Sequence, residues 1–539
     1  MLLVLAVTAG LVVTAAAQSM NCVWAKQIAR TTNPDNELAI GFAMDGATNL
    51  FVTGWFDGTN DFGGVGLTNK TGGGQDIFVG KYNSAGTVQW ARRAGGNTTE
   101  WDAGRGVGVD ASGNVYVAGG FSGTADFGSF NVTAFQGQDF FLTKYNSAGT
   151  VQWVRQSGGG GGWAYGTGLA VDAAGNSYAV GYFDGSGIIL GTTTLPNAGD
   201  YNVFLVKYDS AGGFQWAKAL SSPGWSYSTA ISLDTNNNVY IAGSFIPSLS
   251  VGTSNFVSAG AKDGFVAKFS SAGTFQWARQ LGGPSDDAGL GSASVDASGN
   301  VYLVGGFGNT AGDTISFGAG ITLTNLGGGL PGAGVGDAFL AKYNSSNGAA
   351  QWARRAGGTN MDAFTGIATD VSGNIYVGGG TGGVGMPDGF NVTLAKYDAN
   401  GVVQWTQSST GTNGALAWGG PLFDGGGNCY LAGWFHTSVG LGTNTLTGQG
   451  YWDFFLSKVA APVAAPAPGL GIGWSNGLPR LRITGVVGSR YAVDYVAALT
   501  VSNNWLSLAT NTLSVNPLSF TDTNAIGNSR RFYRARLIP

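Results

Sequence analysis

Histidine is almost missing: His436 is the only one in 539 residues. A His-based triad or a multi-histidine metal site therefore has no support, and His436 reads as a lone loop residue. Glutamate is confined to Glu37 and Glu100, and long Glu/Lys/Leu runs are missing, so helix is poorly supported. Charge of either sign is scarce: 26 Lys and Arg stand against 30 Asp and Glu, for a net of -4. Nucleic acid demands a basic surface, which this chain lacks. No Walker-type loop and no Cys/His cluster appears, and no cofactor is expected; calcium is the one ion weighed below. After the first residues no segment is long and apolar enough for a membrane helix.

What is there is glycine, 95 residues of it, without the three-residue period of collagen, in a chain that is 43% apolar. Such a chain is not a disordered low-complexity polymer. Val, Thr, Tyr, Phe and Trp between Gly/Asn/Ser turns point to an all-β protein. Leu2 to Val13 is an apolar stretch too short to span a bilayer, and Ala15-Ala16-Ala17 offers a small-residue cleavage site. Residues 1–17 are thus expected to be a signal peptide and the protein secreted or on the cell surface, although no Lys or Arg precedes the apolar stretch. Cys22 has no lipobox before it, so lipid anchoring is not expected. Two cysteines, Cys22 and Cys429, suit an exported chain and leave open one bridge.

One phrase recurs seven times. A copy reads Asp110-Ala-Ser-Gly-Asn114-Val-Tyr116, then Asp139-Phe-Phe-Leu-Thr-Lys144-Tyr145, then Gln152-Trp153. Tryptophan closes the copies at Trp24, Trp90, Trp153, Trp216, Trp277, Trp352 and Trp405. A repeat of this kind fixes the architecture. Four strands fit a copy: Gly106 to Asp110, Val115 to Phe121, Asp139 to Tyr145 and Thr150 to Arg155, with a long excursion between the second and third. Gly and Asn at the tight turns supply positive φ. Four antiparallel strands repeated radially make a β-propeller, here with seven blades. The phase of the ends agrees. The chain begins with a lone fourth strand around Trp24 and the array ends with a third strand at Lys458, so the first strand would complete the last sheet and close the ring; a solenoid would carry capping repeats instead.

The phrases Asp-Ala-Ser-Gly-Asn-Val-Tyr-Val-Ala-Gly and Asp-Phe-Phe-Leu-Thr-Lys-Tyr resemble the bacterial β-propeller repeats called SBBP repeats, from about residue 22 to 459. The resemblance implies a secreted or surface propeller and is weak for function.

A residue present in every copy is expected to be structural. The repeated tryptophans read as core between sheets, and the Asp-x-x-x-Asn turns as Asx-turns rather than calcium loops, because each offers one carboxylate where calcium wants six to eight oxygens. The Asp139–Lys144 spacing does not demand a charge pair, since Asn202 or Asn391 replaces the aspartate in two copies; bonding to backbone is expected. Asymmetry lies in the long connections, which should share one face. They bear Trp55, Trp101, Trp163, Tyr165, Trp225, Tyr227, Trp418, Trp434 and Trp452, candidates for stacking on sugars or anchoring a protein. Glu100, Asp102, Asp286, Asp287 and Asp362 are acids near the same mouth, where paired carboxylates would serve glycoside cleavage.

An Ala/Pro linker (residues 460–468) leads to residues 469–539, whose short strands suggest a small β-sandwich. It resembles carboxy-terminal modules ending Arg-Phe-Tyr-Arg-Ala on bacterial secreted proteins, which implies attachment or accessory function. Arg530, Arg531, Arg534 and Arg536 there either bind an acidic polymer or keep an edge strand soluble. The expectation for residues 18–459 is a non-enzymatic scaffold binding an extracellular protein or polysaccharide through the long-loop face. A carbohydrate-binding protein using exposed Trp and Tyr, or a polysaccharide-cleaving enzyme using the acids, are the alternatives.

Overall fold

The computed structural model describes the chain apart from residues 1–17, 29, 32–36, 71–73, 97–100, 160–161, 286–288, 328–335, 384–388, 411–413, 449–452, 461–468, 476–477, 485–489, 497–505, 513–517, 524–531 and 539. The expected signal peptide, nearly all of the expected linker, and Glu100, Asp286, Asp287, Trp452, Arg530 and Arg531 lie outside the described residues. The chain divides into two compact units, Ala17–Ala461 and Pro462–Pro539. Among the described residues there is no α-helix.

The larger unit is built from antiparallel four-strand meanders. The first is Glu37–Met44, Leu50–Phe56, Asp76–Tyr82 and Val88–Gly96; the second Ala103–Val109, Val115–Phe127, Phe130–Tyr145 and Val151–Gln156. The third is Ala164–Val171, Ser177–Phe183, Asn202–Tyr208 and Phe214–Leu220; the fourth Trp225–Leu233, Val239–Ile246, Asp263–Phe269 and Phe275–Leu281. The fifth is Gly289–Val295, Val301–Phe307, Asp337–Tyr343 and Ala350–Ala356; the sixth Met361–Thr369, Ile375–Gly383, Asn391–Tyr397 and Val403–Ser408. The seventh runs Ala415–Phe423, Cys429–Phe435, Asp453–Val459 and then Cys22–Gln27, with Trp24 opposite Lys458. A segment from the start of the chain thus completes the sheet at the end of the array. Innermost strands of successive sheets pack on one another, the seventh on the first. The approach is close: a Cβ on Gly106 would sit 2.7 Å from the Cβ of Leu169 in the next sheet. That crowding is why small residues fill the innermost strands.

Local chemistry explains each turn. Asp110 Oδ1 accepts the amides of Ser112 and Asn114 at 2.9 Å, and Oδ2 accepts Asn114 Nδ2 at 2.8 Å and the Tyr116 hydroxyl at 3.2 Å. The same Asx-turn recurs at Asp172, Asp234, Asp296, Asp370 and Asp424. Lys144 lies over the Tyr116 ring at 5.0 Å and 3.8 Å from Asp110, while Asp139 accepts the Phe135 amide at 3.2 Å; the two ends of the Asp139–Lys144 phrase never meet.

Neighbouring sheets are joined by repeated contacts. Trp153 Nε1 donates to Ser210 O at 3.3 Å in the next sheet's second turn, and Arg155 Nε donates to Gly212 O at 2.7 Å. Trp24, Trp90, Trp216 and Trp277 make the equivalent bond to Ser84, Ser147, Ser271 and Ser345. On the opposite side, the excursion after the second strand is no loop. It folds as a hairpin whose edge pairs with the segment leaving the preceding sheet: Asn60–Asp61 with Arg30–Thr31, Ala125–Asp126 with Gly95–Gly96, Ile189 with Gly158, Ser250 with Ser221, Ser316 with Gly282, and Gly440 with Thr410. The expectation of an irregular excursion from Ser122 to Gln138 is corrected accordingly: Val115–Phe127 and Phe130–Tyr145 run on as one long ribbon, with Thr124 opposite Thr133. Threonine and aromatics in this stretch favour strand, and pairing with the neighbouring sheet satisfies an edge that would otherwise be bare.

Cys22 and Cys429 are free and buried. Both face Val459, one from each side, so a strand separates them and a bridge is out of reach. The smaller unit holds two three-stranded antiparallel sheets, Gly469–Ser475, Leu478–Thr484 and Leu518–Thr521, and Leu506–Thr512, Arg490–Val496 and Phe532–Ile538. Leu481, Ile483 and Val493 form its core.

Candidate functional site

The innermost strands surround a cavity of about 970 Å³. Its lining follows from a defect in the pairing. Each innermost strand slips register by a residue against its neighbour, at Ile40, Arg105, Thr167, Thr229, Gly291, Thr365 and Trp418. Such bulges re-aim side chains, and all seven of these residues line the cavity. The ring they form is apolar or hydroxylic except at Arg105, the one charged residue among the described lining residues.

Aromatic rings continue from Arg105 around the rim. Its guanidinium lies over the Tyr165 ring at 4.6 Å. Tyr165 stacks on Tyr182 at 6.1 Å, and Tyr182 meets Tyr201 edge-on at 5.6 Å. The backbone of Tyr201 pairs with that of Trp225, whose ring stacks on Tyr227 at 5.4 Å and 12°. Trp163, 49% exposed, and Trp418, 43% exposed, also line the cavity.

The candidate aromatics therefore divide. Trp163, Trp225, Tyr227 and Trp418 line the cavity; Tyr165 is buried and is not among the lining residues. Trp101 is exposed but away from the cavity. Trp55 and Trp434 are a correction: they lie within second strands, half-buried and buried, one residue before the closing Phe56 and Phe435, and not in the connections. Tyr182, Tyr201 and Arg105 join the site without having been singled out. For Arg105 the signal was the position five residues before the turn aspartate, which names Ile40, Arg105, Thr167, Thr229, Gly291 and Thr365 from the repeat alone.

The acids stand elsewhere. Asp102 accepts the amides of Gly96 at 2.9 Å and Ser122 at 2.8 Å; Asp362 accepts those of Gly358 at 3.0 Å and Gly382 at 2.9 Å. They hold the same place in the second and sixth sheets, which do not adjoin, and neither lines the cavity. Burial pushes Asp102 up to about 7 and Asp362 up to about 6, against the pull of those amides. Asp139 rises to about 6 for the same reason. A carboxyl whose folded value exceeds its unfolded one binds more protons when folded, so stability falls as pH rises through that window. The turn aspartates Asp110, Asp234, Asp370 and Asp424 are lowered: burial opposes, but hydrogen bonds prevail, and they act only in acid. The urea midpoint is therefore expected to decline from pH 5 to pH 8, and Asp102→Asn to flatten that slope. A midpoint that climbs over this range would contradict the assignment. Among the described residues no three His, Cys, Asp or Glu gather as metal ligands.

No protein-family model matches the chain. A 140-residue stretch, 24% of this chain and 10% of the relative, is 31% identical to an uncharacterized WD repeat-containing protein, L264, of Acanthamoeba polyphaga mimivirus. A longer stretch of 362 residues, 60% of this chain and 36% of the relative, is 26% identical to the regulatory protein FlaEY of Caulobacter vibrioides. The chain thus spans about a tenth and about a third of these relatives. Similar solved structures include a quinohemoprotein alcohol dehydrogenase from Comamonas testosteroni, with TM-score 0.39, 12% identity and coverage of 85% of this chain and 79% of that one. YCF48 bound to D1 peptide has TM-score 0.37, 10% identity and coverage of 83% and 97%.

Proposed function

We propose that this chain is an exported, non-enzymatic β-propeller of seven blades, carrying a small C-terminal β-sandwich, that binds an extracellular carbohydrate at the mouth of its central channel. The observation that carries this reading is the aromatic rim, where the stacked, near-parallel Trp225–Tyr227 pair and the half-exposed Trp163 offer flat apolar faces around one cavity. Sugar rings present axial C–H faces to such surfaces, and aromatic residues in a preformed concave site orient a ligand with few polar contacts. Asp102 and Asp362 spend both oxygens on loop amides in separate sheets, which favours binding over cleavage by these two acids. The SBBP resemblance adds to the export reading through the repeated phrases.

The test is a polysaccharide panel presented to protein recovered from the growth medium, whose first residue, expected at Gln18, is read by mass spectrometry. Trp225→Ala is expected to weaken binding about thirtyfold, as a hot spot of about 2 kcal/mol would, with unchanged melting. Failure of the unaltered protein to bind any saccharide would remove the reading.

A further inference from the structure

We infer that the saccharide taken by this channel is acidic, with its anionic group, a carboxylate or a sulfate ester, received by Arg105. The inference rests on the carbohydrate reading above and adds the ligand's charge.

Arg105 is the bulge residue of the second sheet's innermost strand, at a place where the other sheets put Ile, Thr, Gly or Trp. It does not serve the fold as the other arginines do. Arg93 pairs with Asp76 at 2.8 Å and Asp126 at 2.7 Å, Arg355 with Asp337 at 2.7 Å, and Arg92 and Arg155 bond to turn carbonyls of the next sheet. Arg105 has no described carboxylate within ion-pair distance, and its Nε is buried without a hydrogen-bond partner. Thr229, the bulge residue of the fourth sheet on the same cavity wall, likewise has a buried, unpartnered hydroxyl. A half-buried guanidinium without a counter-charge costs free energy, and unpaired buried polar atoms call for a partner that the chain does not supply. The Tyr165 ring sits 4.6 Å from the guanidinium and fixes its place at the cavity wall, and a guanidinium offers the planar, forked bonding that carboxylate and sulfate oxygens accept. Ring contacts run from Tyr165 through Tyr182 to Tyr201, whose backbone pairs with that of Trp225, so these aromatics share one rim and a sugar stacked there carries its charged substituent toward Arg105. No acid lines the cavity to repel it, among the described residues.

The experiment is calorimetric titration of the whole exported protein with three oligosaccharides of equal length: a uronate, its carboxyl-reduced neutral counterpart, and a sulfate ester of that neutral sugar. At low salt one of the anionic ligands should bind at least tenfold tighter than the neutral one, with the preference shrinking as salt is raised. Comparison of the uronate with the sulfate ester identifies which anion fits. Arg105→Gln should reduce the ratio of anionic to neutral affinity to near unity, and Arg105→Lys should retain part of it. Equal binding of charged and neutral sugars, or a preference that survives Arg105→Gln, overturns the inference and leaves the carbohydrate reading standing. Absence of all three affinities overturns both. The comparison on the unaltered protein decides even where the variant fails to fold.

Discussion

Trp277→Ala is expected to destabilise the larger unit by about 3–5 kcal/mol, the range for truncating a large buried aromatic. Trp277 is 5% exposed and belongs to a cluster holding Tyr240 of its own sheet together with Val301 and Tyr343 of the next. It meets Tyr240 edge-on at 6.0 Å and donates Nε1 to Ser345 O at 3.0 Å. Gly348 closes the fit: it has φ 67, and a Cβ there would lie 2.5 Å from the indole. Alanine would leave a cavity between two sheets and strip a turn carbonyl of its donor, and neither neighbour can collapse without moving its own pairing. Trp163→Ala, at a half-exposed rim position, should shift stability by no more than about 0.5 kcal/mol. Denaturant titration of the two variants side by side checks the contrast, and equal losses would show that the repeated tryptophans are not the joint between sheets.

Removing residues 18–27 should cost more. Cys22–Gln27 is the fourth strand of the seventh sheet, and without it the Asp453–Val459 strand loses a whole ladder of partners. Trp24 Nε1 also donates to Ser84 O at 3.3 Å in the first sheet, so one excision opens both the sheet and its junction with the next. The bare strand edge is then a template for association. The shortened protein is expected to lose its cooperative melt and to elute as aggregate, with a peptide of residues 18–27 restoring the melt when added in excess. A truncated chain that melts within a few degrees of the full one would mean that closure contributes little.

The scaffold was legible because it is repeated. Asp110 and Asn114, Trp153, and Lys144 over Tyr116 recur in sheet after sheet, and a recurring residue reports the common backbone. Closure was legible from the phase of Trp24 against Lys458. The hairpins after the second strands were not, because their strands are short, as at Ile188–Leu190 and Thr314–Ser316, and too few residues alternate to mark them. Trp55 and Trp434 were misplaced because they are unrepeated residues standing just before the phenylalanine that ends the second strand, Phe56 and Phe435, and so were grouped with the connections. At the rim, Trp163, Trp225 and Tyr227 stood out as unrepeated aromatics. Arg105 did not, since it lies inside a strand and not in a connection, and a bulge inside a strand leaves no mark of composition. It becomes visible only when copies are aligned on the turn aspartate and read backwards.

The bulge has a corollary for how such a protein changes over time. An extra residue opposes no partner across the ladder, so its side chain is free of the constraints that govern its neighbours. Isoleucine, arginine, glycine, tryptophan and three threonines occupy the seven places on one common backbone. Selectivity can therefore drift, or be engineered, one spoke at a time while the wheel stays true.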